Sequence, residues 1–178
     1  MARESPWKPL QPVMNSLRFR SYEKELLDAT DIPFEDIRQN MKELDTVNRL
    51  LGGHAISISG LKKLTASRPT DRLLSICEIG CGGGDNLYAL SEDCKKKNIN
   101  ATCTGIDIKQ ACTSFAKEQY PGLQATWITG DYASIEFSVN KPTIIFASLF
   151  CHHFNEQELD LMLHWMYRNS TLGFFIND

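Results

Sequence analysis

The sequence predicts an α/β fold in which a mostly parallel, doubly wound sheet carries helices on both faces. Strand-like and helix-like segments alternate from residue 73 to residue 178, and such alternation is typical of parallel sheets. A glycine-rich turn joins the first strand to the helix that follows it, and acidic residues end consecutive strands. Because ligands of these sheets bind at the carboxyl ends of the strands, Glu78, Asp107, Asp131 and Ser148 mark the predicted site.

The glycine-rich turn has the composition of a nucleotide-binding element. A buried strand is predicted at 73–79, four glycines follow within positions 80–84, and a helix is predicted to begin with Asp85 as its N-cap. Glycine permits positive φ angles and close approach of a ligand to the backbone. The first turn of a helix also offers unpaired N–H groups to polar ligands.

The spacing of the glycines argues against two common phosphate-binding motifs. The dinucleotide pattern G-x-G-x-x-G, counted from Gly80, requires glycine where this chain has Asp85. No segment matches G-x-x-x-x-G-K-[ST]. A nicotinamide-dependent oxidoreductase therefore stays open only as a weaker alternative.

The remaining elements of the predicted sheet follow in order. Asn155 is the expected N-cap of the last helix, with Glu158 completing a capping box and Leu159, Met162, Leu163 and Met166 on its inner face. The predicted strands after the turn are 101–107, 125–131, 143–148 and 172–178, and the predicted helices run from 85 to 93–96, from 108 to 120 and from 155 onwards.

The N-terminal region is predicted to be an arm followed by a helical lid. Residues 1–17 are proline-rich, Arg18–Tyr22 starts a more structured region, and a short helix is possible at 23–27. A longer helix is predicted from Pro33 to Leu51, where Gly52-Gly53 ends it. Its apolar residues recur on one face: Phe34, Ile37, Met41, Leu44, Val47 and Leu51.

Residues 54–64 fit either a strand or a helix, and we favour the helix. The predicted domains are an arm and lid at 1–64 and a ligand-binding core at 65–178. A lid would cover the carboxyl ends of the strands. The alternative is a helix docked on the far face of the sheet, where it would only extend the core.

Composition narrows the classes of partner. The net charge of −3 gives no basic footprint for nucleic acid, and no apolar run approaches the roughly 20 residues of a membrane-spanning helix. The start of the chain has no apolar segment typical of a signal peptide. Six cysteines occur without a C-x-x-C pair, so we predict no metal site, no redox motif and a cytoplasmic location.

These motifs resemble those of class I S-adenosyl-L-methionine (SAM) dependent methyltransferases of the Rossmann-like fold. Glu78-x-Gly80-x-Gly82-x-Gly84 resembles motif I, and Gly130-Asp131-Tyr132 resembles the segment that meets adenine. The segment 147–154, Ala-Ser-Leu-Phe-Cys-His-His-Phe, is similar to motif IV of small-molecule enzymes like those of quinone biosynthesis. Residues 20–64 are similar to a bacterial branch associated with polyketide-type and pigment pathways, hence with secondary metabolism.

The resemblance implies SAM as cofactor and assigns roles around it. Asp107 would bind the ribose hydroxyls, Ile108 would pack on adenine, and Asp131 would accept from the adenine amino group. The implied contacts to the methionine part come from Glu78 and the backbone of the turn 80–84, with Gly80, Cys81 and Gly82. The end of the fourth strand, with Ala147 and Ser148, would border the methionine part and the methyl-transfer face, and Asp85 and Tyr132 complete the implied cofactor site.

The implied reaction is methyl transfer to a small-molecule acceptor, with an oxygen nucleophile such as a phenol or enol. His152 and His153 are the candidate bases, although either could instead pack or cap beside the Asn155 helix. The chain departs from the family pattern at Thr143, where an acid is usual, and it ends after the fifth of seven expected strands, which predicts a truncated form. A homodimer is possible, and a non-catalytic SAM-binding or partner-binding module stays open.

Overall fold

The computed structural model describes residues 32–69 and 72–178, so the predicted arm, the Arg18–Tyr22 segment and the possible helix at 23–27 lie outside the described residues. Short 3₁₀ helices are formed by Tyr132–Ser134 and Cys151–His153. The helices are α1 (Phe34–Leu51), α2 (Gly53–Thr65), α3 (Asp85–Lys96), α4 (Gln110–Gln119) and α5 (Glu156–Asn169), and the strands are β1 (Leu74–Ile79), β2 (Ala101–Asp107), β3 (Ala125–Thr129), β4 (Ile144–Ser148) and β5 (Gly173–Asn177).

The five strands form one parallel sheet in the order β3-β2-β1-β4-β5, which confirms the predicted fold class. The chain moves outward from β1 to β3 and then crosses to β4 on the other side of β1. The connections on either side of β1 therefore diverge, and a crevice opens at the carboxyl ends of β1 and β4. At this edge, the pairing of β4 with β5 places Ser148 beside Asn177. The pairing of β1 with β2 and β4 places Glu78 between Gly105 and Phe146.

Alternation along the strands supplies apolar side chains to both faces of the sheet. In β1, Leu74 and Ile76 pack under α2 and α3, whereas Cys77 and Ile79 pack under α5. The capping box of Asn155 and Glu158 starts α5 as predicted. Trp165 adds to the buried face of α5, a contribution absent from the predicted set. Within the described ranges, no helix has both the length and the apolar character needed to cross a membrane.

Helix α2 is confirmed over the strand alternative, and it belongs to the main core. It packs against α3 and β5, and Leu61 joins the cluster on that face of the sheet. A Cβ on Gly60 would lie 2.7 Å from a ring carbon of Phe175, so the missing side chain lets the helix and β5 approach closely.

Helix α1 buries only the centre of its predicted apolar stripe. Ile37 and Met41 are buried, whereas Phe34, Val47 and Leu51 are exposed. The reason is that α1 packs against α4 and α2 rather than lying flat on the sheet. The apolar residues at the two ends of the helix are therefore exposed, and the prediction of a stripe packed along its full length was wrong.

The start of α3 differs from the prediction by one residue. Gly84, in the left-handed conformation, occupies the N-cap position and supplies no side-chain cap. Asp85 is the first helical residue, and its carboxylate instead accepts hydrogen bonds from Asn48 and His54. These tertiary partners compete successfully with the local capping role.

Candidate functional site

A cavity of about 680 Å³ lies at the carboxyl ends of the strands, within the usual size range of small-molecule sites. The glycine turn forms its floor, the ends of β2 and β4 form two sides, and α1 forms a further wall. All predicted site residues except Ala147 line this cavity: Glu78, Gly80, Cys81, Gly82, Asp85, Asp107, Ile108, Asp131, Tyr132, Ser148, His152 and His153.

Ala147 lies outside the cavity, contrary to the prediction. It is fully buried and packs with Ile79 and Met162 on the α5 face of the sheet. Because side chains alternate between faces along β4, Ala147 turns to the core while the next residue, Ser148, reaches the cavity.

The glycine turn is packed tightly between α1 and the segment after β4. Gly80 and Gly82 have φ angles of 64° and 47°, a backbone conformation that is strained for residues other than glycine. A Cβ on Gly82 would lie 3.2 Å from Met41 Sδ, and one on Gly80 would collide with the ring of Phe150. The turn therefore exposes its backbone to the cavity at a place where side chains have no room.

Asp107 ties the end of β2 to this turn. Its Oδ2 accepts from the Gly82 N–H at 2.9 Å, and its Oδ1 accepts from the Lys109 N–H at 2.8 Å. Burial raises the pKa of Asp107, and the N–H groups of Lys109 and Gly82 oppose that rise. The Cys112 side chain also hydrogen-bonds this carboxylate. With these three partners, the four acceptor positions of the group leave one open to a ligand hydroxyl.

Two polar atoms beside the cavity are buried and lack hydrogen-bond partners within the described part of the chain. They are Glu78 Oε2 and Asn40 Oδ1. Glu78 is 1% exposed, and burial raises its pKa well above the ordinary 4.5, with Asp85 and Asp107 adding to the rise and the Leu87 N–H opposing it. Acceptors left in this state favour a ligand that brings N–H or O–H donors, above all a cationic donor.

Asp85 receives two donors from the junction of α1 and α2. Its Oδ2 lies 2.9 Å from Asn48 Nδ2 and 2.8 Å from His54 Nε2. His54 Nε2 also lies 3.9 Å from Asp45 Oδ1, and ligand atoms of these three ionisable side chains fall within 4.8 Å of one another. Facing a carboxylate, Nε2 carries the proton. The nitrogen then has no lone pair for a cation, and we assign no metal to the cluster.

The two candidate bases differ in their partners. His152 Nδ1 donates to Asp178 Oδ1 at 2.9 Å, while His153 packs its ring near Phe150 and His152. A histidine oriented by a carboxylate is the usual arrangement of a general base. Asp178 was absent from the sequence-based site, and its position at the end of β5 gave no local signal.

The predicted adenine side of the cavity is more open. Ile108 is 71% exposed at the rim, and Asp131 caps the turn after β3 by accepting from the Ala133 N–H at 2.9 Å. Tyr132 makes edge contacts with Phe150, Phe154 and Trp165. Sequence reasoning missed further lining residues, among them Asn40, Asn48, Asn86 and Phe150. For Asn48, the available sequence signal was a polar residue near the end of a predicted helix that Gly52-Gly53 terminates.

Comparisons with known proteins agree with this geometry. The family profile described as "Methyltransferase domain" matches residues 76–171, which is more than half of the chain. No curated protein sequence matches.

Similar solved structures share the fold at low identity. A protein from Methanococcus maripaludis, described as a SAM-dependent methyltransferase, is 16% identical with a TM-score of 0.57, over 83% of this chain and 65% of that one. Magnesium protoporphyrin IX methyltransferase from Synechocystis, with bound SAM, is 18% identical with a TM-score of 0.55, over 80% of this chain and 74% of that one. Human N-acetylserotonin methyltransferase, in complex with SAM, is 19% identical with a TM-score of 0.58, over 81% of this chain and 38% of that one. The chain thus spans less than two thirds of the Methanococcus protein.

Proposed function

This chain belongs to the methyltransferase domain family, whose methyl donor is SAM, and from that premise we propose that it methylates a small-molecule acceptor. The observation that carries the proposal is Glu78 Oε2, a buried acceptor without a hydrogen-bond partner in the described residues, beside the cavity at the glycine turn. SAM carries an ammonium group and a sulfonium charge. The carboxyl groups of Glu78 and Asp85 suit these positive charges, because both line the cavity at the glycine turn.

The residues present fit the parts of SAM as follows. Asp107 would hold the ribose hydroxyls, since its carboxylate keeps an acceptor position beyond its bonds to Gly82, Lys109 and Cys112. Ile108 and Asp131 would meet the adenine, and Glu78 with the turn backbone would meet the methionine end. Ser148, at the end of β4, would border the transferred methyl group.

The chemistry asked of the protein is positioning and proton removal. Bound SAM supplies an electrophilic methyl group. His152 accepts the proton of a phenol or enol through Nε2, while Asp178 holds the Nδ1–H. Ile37, Met41 and Leu44 of α1 form an apolar wall that excludes water from the acceptor side. Proximity and orientation supply much of the rate in a direct displacement of this kind.

The class of acceptor rests on the motif at 147–154 and on the neighbours. Two of the similar structures are named for small organic substrates, magnesium protoporphyrin IX and N-acetylserotonin. We propose a phenolic or enolic intermediate of quinone or polyketide type, as in secondary metabolism. A cytoplasmic location and a homodimer stay predictions from the sequence.

Binding calorimetry with SAM, S-adenosylhomocysteine and NADH tests the proposal. SAM and S-adenosylhomocysteine should bind, and Asp107→Ala should lose charge-assisted hydrogen bonds of about 1.5–3 kcal/mol, roughly ten- to a hundred-fold in affinity. Asp160→Ala, an exposed carboxylate on α5, is the matched control.

Three other results would contradict the proposal. Binding of NADH without SAM would indicate an oxidoreductase. SAM binding without methylation of any acceptor in a panel of phenols and enols would indicate a non-catalytic module. Unchanged SAM affinity of Asp107→Ala would remove Asp107 from the site.

A further inference from the structure

The junction between α1 and α2 delivers two hydrogen-bond donors to one carboxylate in the cavity wall. Asn48 is buried near the end of α1, and His54 lies in the first turn of α2. Both donate to Asp85 Oδ2, at 2.9 Å and 2.8 Å. We call these two donors and their acceptor the Asn48–His54–Asp85 clamp.

The local sequence of the junction permits this geometry. Gly52 turns the chain with φ of 90°, so that α2 starts directly after α1. A Cβ on Gly53 would lie 2.5 Å from Asn48 Oδ1. Any side chain at position 53 would therefore displace the Asn48 amide, which must stay in place to reach Asp85. The glycine pair both ends α1 and makes room for the clamp.

The clamp is more than a packing contact, because Asp85 and Asn48 both line the cavity. A carboxylate held by two donors is fixed in direction, as electrostatic recognition of a cation requires. Glu78, whose Oε2 lacks a hydrogen-bond partner among the described residues, lines the same cavity. The clamp and Glu78 therefore place two carboxylates at the glycine turn, where the methionine end of SAM would lie.

We propose that Asn48 and His54 are positioning residues, which hold the Asp85 carboxylate for the α-ammonium group of the cofactor. This inference rests on the proposed function and deepens it. Helix α1 also forms a wall of the cavity. The clamp therefore couples the position of α1 to recognition of the amino-acid part of SAM. A purely structural clamp would have no preference for that part of the ligand.

The test compares two ligands that share adenosine. S-adenosylhomocysteine carries the amino-acid part, whereas 5′-methylthioadenosine lacks it. By calorimetry, His54→Leu should bind S-adenosylhomocysteine about ten-fold more weakly, while 5′-methylthioadenosine affinity should stay within about two-fold. His54→Gln, which keeps an N–H donor, should restore most of the affinity. His164→Leu, an exposed histidine on α5, is the matched control.

Gly53→Ala provides an independent variant that leaves every clamp residue in the sequence. Its Cβ should displace the Asn48 amide and reproduce the selective loss about ten-fold. Circular dichroism checks that each variant folds, and Gly53→Ala carries the comparison if His54→Leu does not. Equal loss of both ligands, or unchanged binding of S-adenosylhomocysteine, would overturn the clamp while the proposed function stands. Absence of S-adenosylhomocysteine binding to the unaltered protein would overturn the proposed function itself.

Discussion

Glu78 shows most directly how one residue can oppose folding while serving a ligand. Its carboxyl group is buried and one of its oxygens lacks a hydrogen-bond partner among residues 32–69 and 72–178. Burial, Asp85 and Asp107 all raise its pKa above the ordinary 4.5. The folded protein therefore holds this proton more tightly than the unfolded chain does. Stability contributed by the neutral form is present below pH 4.5 and is lost as the pH rises through the raised pKa.

Replacing Glu78 by Gln should separate stability from binding. Because Gln stays neutral, the variant should unfold at a higher temperature than the unaltered protein at alkaline pH, and the difference should disappear in acid. Its SAM affinity should fall roughly ten-fold or more, because a charge-assisted hydrogen bond is lost. Thermal unfolding across pH and calorimetry measure the two effects, with the exposed Glu118→Gln as control. A variant with unchanged affinity would show that Glu78 is only a buried core carboxyl.

His152 and Asp178 form the second residue pair with a testable role. Asp178→Asn should leave the Nδ1–H of His152 without its anionic acceptor. We expect kcat for a phenolic acceptor to fall roughly ten- to a hundred-fold, within the usual contribution of general bases, with little change in SAM affinity. Nitrogen NMR should show the Nδ1-protonated tautomer in the unaltered protein and a mixture in the variant. Equal kcat values, or a larger loss in His153→Gln than in His152→Gln, would contradict the assignment.

At the scale of elements, the lid stays a prediction, and α1 is the helix of the described chain to which it applies. It borders the cavity through Ile37, Met41 and Leu44, and its Met41 lies against the glycine turn. Its contacts within the described part of the chain run mainly to α4 and α2, and both ends of its apolar stripe are exposed. A helix held in this limited way opens at lower free energy than one packed on a sheet.

Hydrogen exchange should therefore detect SAM in α1. We expect the amides of Phe34–Leu51 to exchange more slowly when SAM is bound, because the ligand bridges α1 and the turn. Amides of α5, which packs on β4 and β5 away from the cavity, provide the internal comparison and should change little. No added protection in α1 would contradict the lid, and equal protection everywhere would indicate global stabilisation instead.

At the scale of the whole molecule, α2 packs into the core of the sheet, although the sequence assigned it to the arm and lid region 1–64. Leu61 is 3% exposed within the core cluster of the sheet, whereas Leu50, eleven positions earlier on α1, is 74% exposed. The assignment of 1–64 as a separate unit stays a prediction. The packing of α2 against α3 and β5 nevertheless makes its loss costly.

Leu61→Ala should lower the free energy of unfolding by about 2–5 kcal/mol, the range for a leucine deleted from a packed core. Leu50→Ala removes the same atoms from an exposed site and should change that free energy by about 0.5 kcal/mol or less. Urea denaturation followed by circular dichroism compares them. Similar values for both variants would mean that α2 is loosely attached.

The sequence by itself determined the features that depend on neighbouring residues. Strand–helix alternation specified the parallel sheet, the glycines specified the turn, and Asn155 with Glu158 specified the start of α5. Acids at Asp107 and Asp131 pointed to the binding edge because parallel strands share one carboxyl end. These signals are local, since turn chemistry, capping and periodicity act over a few residues.

Tertiary structure decided the features that depend on distant residues. Asp85 does not cap its helix but accepts hydrogen bonds from side chains 37 and 31 positions earlier in the chain. His152 is hydrogen-bonded to a carboxylate 26 positions later. Ala147 faced the core because packing against α5 sets which side of β4 is buried. Periodicity determines which residues of a helix or strand share a face. What that face contacts depends on where the neighbouring helices and strands lie, and contacts throughout the chain set those positions.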